Sequence, residues 1–120
     1  MRAPDARPET ERRAALDISP IQALLALIVE RCRPDSIWLF GSRAKGTARN
    51  DSDWDLLVTL PDSVPFEQHD AVVDAIQLRR LSGANADILG CGATEFDAAT
   101  SIPNTLAYEI ARTGFPVYER

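Results

Sequence analysis

A chain of 120 residues, 45% apolar and 26% charged, can bury one hydrophobic core but not a core plus a separate substrate-gripping domain. Its net charge of −5 and pI near 4.8 exclude a general attraction to nucleic-acid phosphates. The longest apolar run, 21–29, is broken by Gln22 and too short to span a bilayer, and Cys32 and Cys91 form neither a disulfide framework nor a zinc pattern, so the cytoplasm is the expected compartment.

Residues 1–17 are rich in Pro, Arg, Ala and Glu and read as a flexible leader, with a single domain over 18–120. The run Ser19-Pro20-Ile21-Gln22 predicts a helix start, with Ser19 as the cap, Pro20 in the first turn and Gln22 completing a capping box. Ile21, Leu24, Leu25 and Ile28 form its apolar face, and Pro34 closes it. Ser36 to Phe40 (SIWLF) reads as a buried strand that ends in Gly41-Ser42, and a polar loop runs on to Ser52. Asp53 to Leu60 (DWDLLVTL) reads as a second strand, stopped by Pro61-Asp62. Phe66 to Leu81 reads as one helix with Val72, Val73, Ile76 and Leu81 inward, His69 on its solvated face and Gly83 as its stop. Ala86 to Leu89 (ADIL) is a brief third strand. Pro103 to Arg112 is a last helix with Leu106 and Ile110 inward, followed by a short strand at Val117-Tyr118. Two successive strands joined by a loop predict an α+β (mixed α/β) domain, with a small mixed or antiparallel sheet and helices packed on one side of it.

The chemistry centres on Asp53 and Asp55. In a strand these carboxylates project from one face, while Trp54, Leu56, Val58 and Leu60 take the other. Two close carboxylates repel unless a cation sits between them, and Mg²⁺ typically takes one or two carboxylates plus waters and substrate phosphates. A calcium loop is excluded, because Leu56 stands where its obligatory glycine belongs. Just upstream, Gly41 allows close backbone approach to a phosphate, Ser42 offers a hydroxyl, and Arg43 and Lys45 can neutralise phosphate oxygens. The segment is not a Walker loop, which would end in GK[ST].

Gly41-Ser42, ten residues, then Asp53-x-Asp55 is similar to the GSx10DxD signature of the nucleotidyltransferase superfamily that includes polymerase β. The wording GSRAKGTARNDSDWDLLV resembles the minimal nucleotidyltransferase (MNT) branch, and the TGFPVYE ending resembles that of small MNT proteins. Trp54 is bulkier than the Ile or Val usual there, and Lys45 replaces the commoner Arg. The resemblance implies a nucleotidyltransferase fold with Asp53, Asp55 and a third carboxylate, Asp87, as metal-binding and catalytic residues for two Mg²⁺ ions. It implies triphosphate binding at Gly41, Ser42, Arg43 and Lys45, with ATP or another NTP as substrate. Small MNT proteins pair with HEPN-domain partners in toxin–antitoxin modules, so the resemblance implies adenylylation of a partner tyrosine in a homo- or hetero-oligomer. Alternatives are an antitoxin that masks its partner without catalysis, and aminoglycoside nucleotidylation. Tyr108 and Tyr118 are read as packing residues.

Overall fold

Strands form where the sequence offers short apolar runs, and their register decides everything that follows. In a computed structural model, which describes residues 16–120, Ser36–Phe40 (β1) and Trp54–Leu60 (β2) pair antiparallel. Ala86–Gly92 (β3) adds parallel to β2, and Phe115–Glu119 (β4) adds antiparallel to β1. The resulting mixed sheet has the order β3-β2-β1-β4. β3 and β4 both run longer than the brief strands expected at 86–89 and 117–118.

The helices are Gln22–Cys32 (α1), Gly41–Lys45 (α2), His69–Val73 (α3), Ala75–Ser82 (α4), Ala93–Ala99 (α5) and Leu106–Thr113 (α6), with 3₁₀ turns at Ser19–Ile21 and Phe66–Gln68. Ser19 does not cap: its N–H donates to Asp17 Oδ1 at 2.9 Å, and the first turn is 3₁₀. Arg33 in the left-handed conformation, followed by Pro34, ends α1 as expected. Of the leader, 1–15 lie outside the described residues, whereas Leu16 already packs against the core.

The single helix expected over 66–81 is broken. Asp74 adopts φ +41°, ends α3, and accepts the Gln77 N–H to start α4. The break rotates the second half, so Leu78 is buried while Ile76 and Leu81 face outward, Ile76 at 65% exposure. His69, expected on the solvated face, is buried instead, where Nε2 meets the Val64 carbonyl at 3.3 Å and Phe66 packs edge-on.

Helices cover both faces of the sheet rather than one. On the first, Leu24, Leu25 and Ile28 of α1, Val73 and Leu78 pack on Ile37, Leu39, Leu56 and Val58. On the second, Phe96 of α5 and Ile110 of α6 pack on Leu57, beside Trp38 and Phe40. β2 is therefore buried on both sides except at Asp55, as a central strand must be. Leu106, expected inward, is 50% exposed, because α6 begins only there, capped by the Thr105 hydroxyl. No helix among the described residues is long and apolar enough to cross a membrane.

Candidate active site

The site lies where β1 ends and β2 and β3 begin. Register pairs Phe40 with Asp55 across β1 and β2, and Asp55 with Asp87 across β2 and β3. In-register residues of neighbouring strands share a face about 4.8 Å apart, so Asp55 and Asp87 stand side by side. Asp53 precedes the ladder, and the Trp54 N–H beside it donates to the Asn85 carbonyl at 3.0 Å. Asp53 and Asp87 are exposed; Asp55 is half-buried.

Three negative groups without a counter-ion should disfavour ionisation of the most enclosed one, and that is what is found. Burial first, then the charges of Asp87 and of Asp53, push the Asp55 carboxyl above its ordinary value. Asp55 thus stands within electrostatic reach of both other carboxylates.

Gly41 closes the other side. It begins α2 at φ +74°, and a Cβ there would collide with Asp55 Oδ2, with Asp55 Cγ only 3.0 Å away. Only glycine combines this backbone conformation with so close an approach to a carboxylate. Beyond it, the Ser42 hydroxyl and the Lys45 ammonium make no hydrogen bond or ion pair among the described residues, and Lys45 is exposed. Arg43 is placed differently. Its Nη2 donates to the carbonyls of Ser52 at 2.8 Å and Asn50 at 3.3 Å, and its guanidinium lies 4.5 Å from the centre of the Trp54 ring. The structure thus brings Asp53, Asp55, Asp87 and Gly41 together, leaves Ser42 and Lys45 free at their margin, and engages Arg43 elsewhere.

The donor set fits a hard divalent ion. All three groups are carboxylates, held beside a glycine that leaves room against Asp55. Among the described residues no group of three or more His, Cys, Asp or Glu side chains is arranged to hold a metal ion by itself, so an ion here would draw the rest of its shell from water or substrate. Such an open arrangement suits Mg²⁺, which keeps waters and substrate phosphates in its shell.

Around the outer edge of β3, past the carboxylates, Leu57, Leu89, Gly90 and Cys91 border a groove of about 470 Å³ whose lining also includes Ile76, Leu106, Asp70 and Asp74. The reading of 66–81 as one helix and 86–89 as a brief strand hid this groove. The Cys91 thiol in its lining is pushed up to about 11, chiefly by burial and then by Glu95 and Asp97, so it stays protonated and poorly nucleophilic at neutral pH.

The family model for the nucleotidyltransferase domain matches residues 23–111, a span that contains nearly all of α1, the Gly41 turn, all three aspartates and most of α6. The chain belongs to the nucleotidyltransferase domain family. The nucleotidyltransferase fold is also found in solved structures. A protein described as a candidate nucleotidyltransferase from Sulfolobus solfataricus superposes with TM-score 0.61 at 15% identity, over 97% of this chain and 91% of the other. A chain of a toxin–antitoxin complex with AMP-PNP superposes with TM-score 0.53 at 19% identity, over 81% of this chain and 72% of the other. No curated protein sequence matches this nucleotidyltransferase domain.

Proposed function

We propose that this domain transfers a nucleoside monophosphate from a Mg²⁺-bound NTP, ATP foremost, to an acceptor hydroxyl with release of pyrophosphate, and that Asp53, Asp55 and Asp87 hold the metal. The observation that carries this reading is the in-register Asp55–Asp87 pair with Gly41 against Asp55, inside the stretch matched by the family. Mg²⁺ supplies charge stabilisation for the attacking and leaving oxygens of an in-line displacement. Gly41 and Ser42 bring backbone and hydroxyl donors to the triphosphate, and Lys45 adds a positive charge at its outer end. Asp87, on an edge strand and exposed, is the carboxylate best placed to accept the proton of an incoming hydroxyl.

The acceptor enters along the groove over Leu57 and Leu89, on the β3 side, opposite the phosphate cradle at the end of β1. A lining that is largely apolar at Leu57, Ile76, Leu89 and Leu106, with Asp70 and Asp74 at its margin, suits a tyrosine, with an apolar ring and a polar tip. A partner protein of the HEPN class supplies that tyrosine, and the fold shared with a toxin–antitoxin chain solved with AMP-PNP supports an antitoxin role.

The test incubates the protein with Mg²⁺, each α-labelled NTP and the purified partner. Label should pass to the partner with ATP and disappear with Asp53→Ala, by about a thousandfold or more for loss of a metal-binding carboxylate. No transfer from any NTP, or equal transfer by Asp53→Ala, overturns the proposal.

A further inference from the structure

Asp53 stands outside the sheet, at the end of a loop, yet the proposed chemistry needs it fixed relative to Asp55. The polar run 46–52 has almost no apolar anchor of its own. What holds it comes from behind. The Arg49 N–H donates to the Ser52 hydroxyl at 2.8 Å and the Ser52 N–H to the Arg49 carbonyl at 3.0 Å, which closes a turn over 49–52. The Arg43 guanidinium then reaches from α2 to the carbonyls of Asn50 and Ser52. The Ser52 carbonyl belongs to the peptide unit that leads into Asp53, and the next unit is pinned by Trp54 N–H on Asn85. Both peptides flanking Asp53 are therefore tied, one of them by Arg43.

The environment of Arg43 is unusual for a phosphate-binding arginine. Its Nε is buried without a hydrogen-bond partner, and no carboxylate pairs with it among the described residues. A guanidinium stays charged even when buried, so its compensation comes from the two carbonyls and the π-face of Trp54. Trp54 sits on the face opposite Asp55, so the guanidinium is spent on the back of the loop. The large side chain at position 54 thereby acquires a reason: a flat ring is what the guanidinium stacks on.

We propose that Arg43 is a positioning residue that sets Asp53 for metal binding, coupling the Gly41-Ser42 turn to the aspartates through the Asn50 and Ser52 carbonyls, with no contact to nucleotide. The inference rests on the metal role of Asp53 proposed above. Second-sphere partners of this kind typically shift metal affinity by about tenfold to a hundredfold when removed.

The test compares Arg43→Met, Arg43→Lys and Lys45→Met by Mn²⁺ titration without nucleotide, by hydrogen exchange of 46–53, and by transfer kinetics with varied Mg²⁺ and ATP. Arg43→Met should weaken Mn²⁺ binding about tenfold or more and speed exchange in 46–53 while leaving the sheet protected. Arg43→Lys, which keeps the charge but cannot reach both carbonyls as a flat fork, should fall between. Lys45→Met should leave both readouts unchanged and raise only the KM for ATP. If Arg43→Met or, should that variant fail to fold, Arg43→Lys keeps wild-type Mn²⁺ affinity and loop protection, the proposal is wrong, and a selective rise in KM for ATP would return Arg43 to the phosphates. Absence of Mn²⁺ binding in the wild type would instead refute the metal role of Asp53, while exchange over 46–53 still reports whether Arg43 holds the loop.

Discussion

The tightest constraint in this molecule is one missing methyl group. Gly41 meets two demands at once, a left-handed φ of +74° and a backbone pressed against the Asp55 carboxylate. Alanine there would cost about 1–2 kcal/mol in backbone conformation and would also push Asp55 aside. Gly41→Ala should therefore fold with a modest loss of thermal stability but lose about a hundredfold in transfer rate, the usual penalty for misplacing a reacting group by about 1 Å. Full activity in a folded Gly41→Ala protein would contradict this account. The approach of Gly41 to Asp55 was foreshadowed in the sequence by the resemblance of its Gly-Ser turn and acidic pair to the nucleotidyltransferase signature. The engagement of Arg43 was not, since hydrogen bonds to backbone carbonyls leave no trace in residue identity.

At the scale of elements, the sequence showed the strands better than the helices. SIWLF and DWDLLVTL are bounded by turn residues and too short for helices; the first forms as expected and the second begins one residue later, at Trp54, leaving Asp53 ahead of the ladder. Helix α5 was invisible, because ATEFDAA follows β3 directly, with no capping residue and one inward apolar side chain, Phe96. Missing it left the second face of the sheet uncovered and led to the one-sided packing. Yet Phe96 is almost wholly buried and its ring lies 5.4 Å from that of Trp38. Phe96→Ala should cost about 3–5 kcal/mol, measured by denaturant unfolding, as expected for an aromatic removed from a core. A loss below about 1 kcal/mol would mean that α5 does not hold this face. The kink at Asp74 was equally hidden, since the apolar spacing of 66–81 permits an unbroken helix and only tertiary contacts choose the break.

For the molecule as a whole, the site sets function against stability. Asp55 binds its proton more tightly in the fold than in the unfolded chain, so ionising it disfavours folding. Without metal, that contribution is harmless below the ordinary aspartate value of 3.8, and its cost grows as pH rises towards the higher value Asp55 has in the fold. Asp55→Asn should raise the metal-free Tm near neutral pH by a few degrees, lose that advantage below pH 4, and abolish transfer. An unchanged or lowered Tm at neutral pH would show that the carboxylate cluster carries no such penalty. Register protects the arrangement. Because a strand's side chains alternate, a slip of β2 by a single residue would bury Asp55 against α1 and turn Trp54 out among the carboxylates. The aim of the acidic groups is thus guarded by Leu56, Leu57, Val58 and Leu60, residues that never meet a nucleotide. Ile76, Leu89 and Leu106, by contrast, expose their side chains on the groove. Descendants of this chain could exchange those side chains freely and acquire new acceptors while the reaction itself stayed intact.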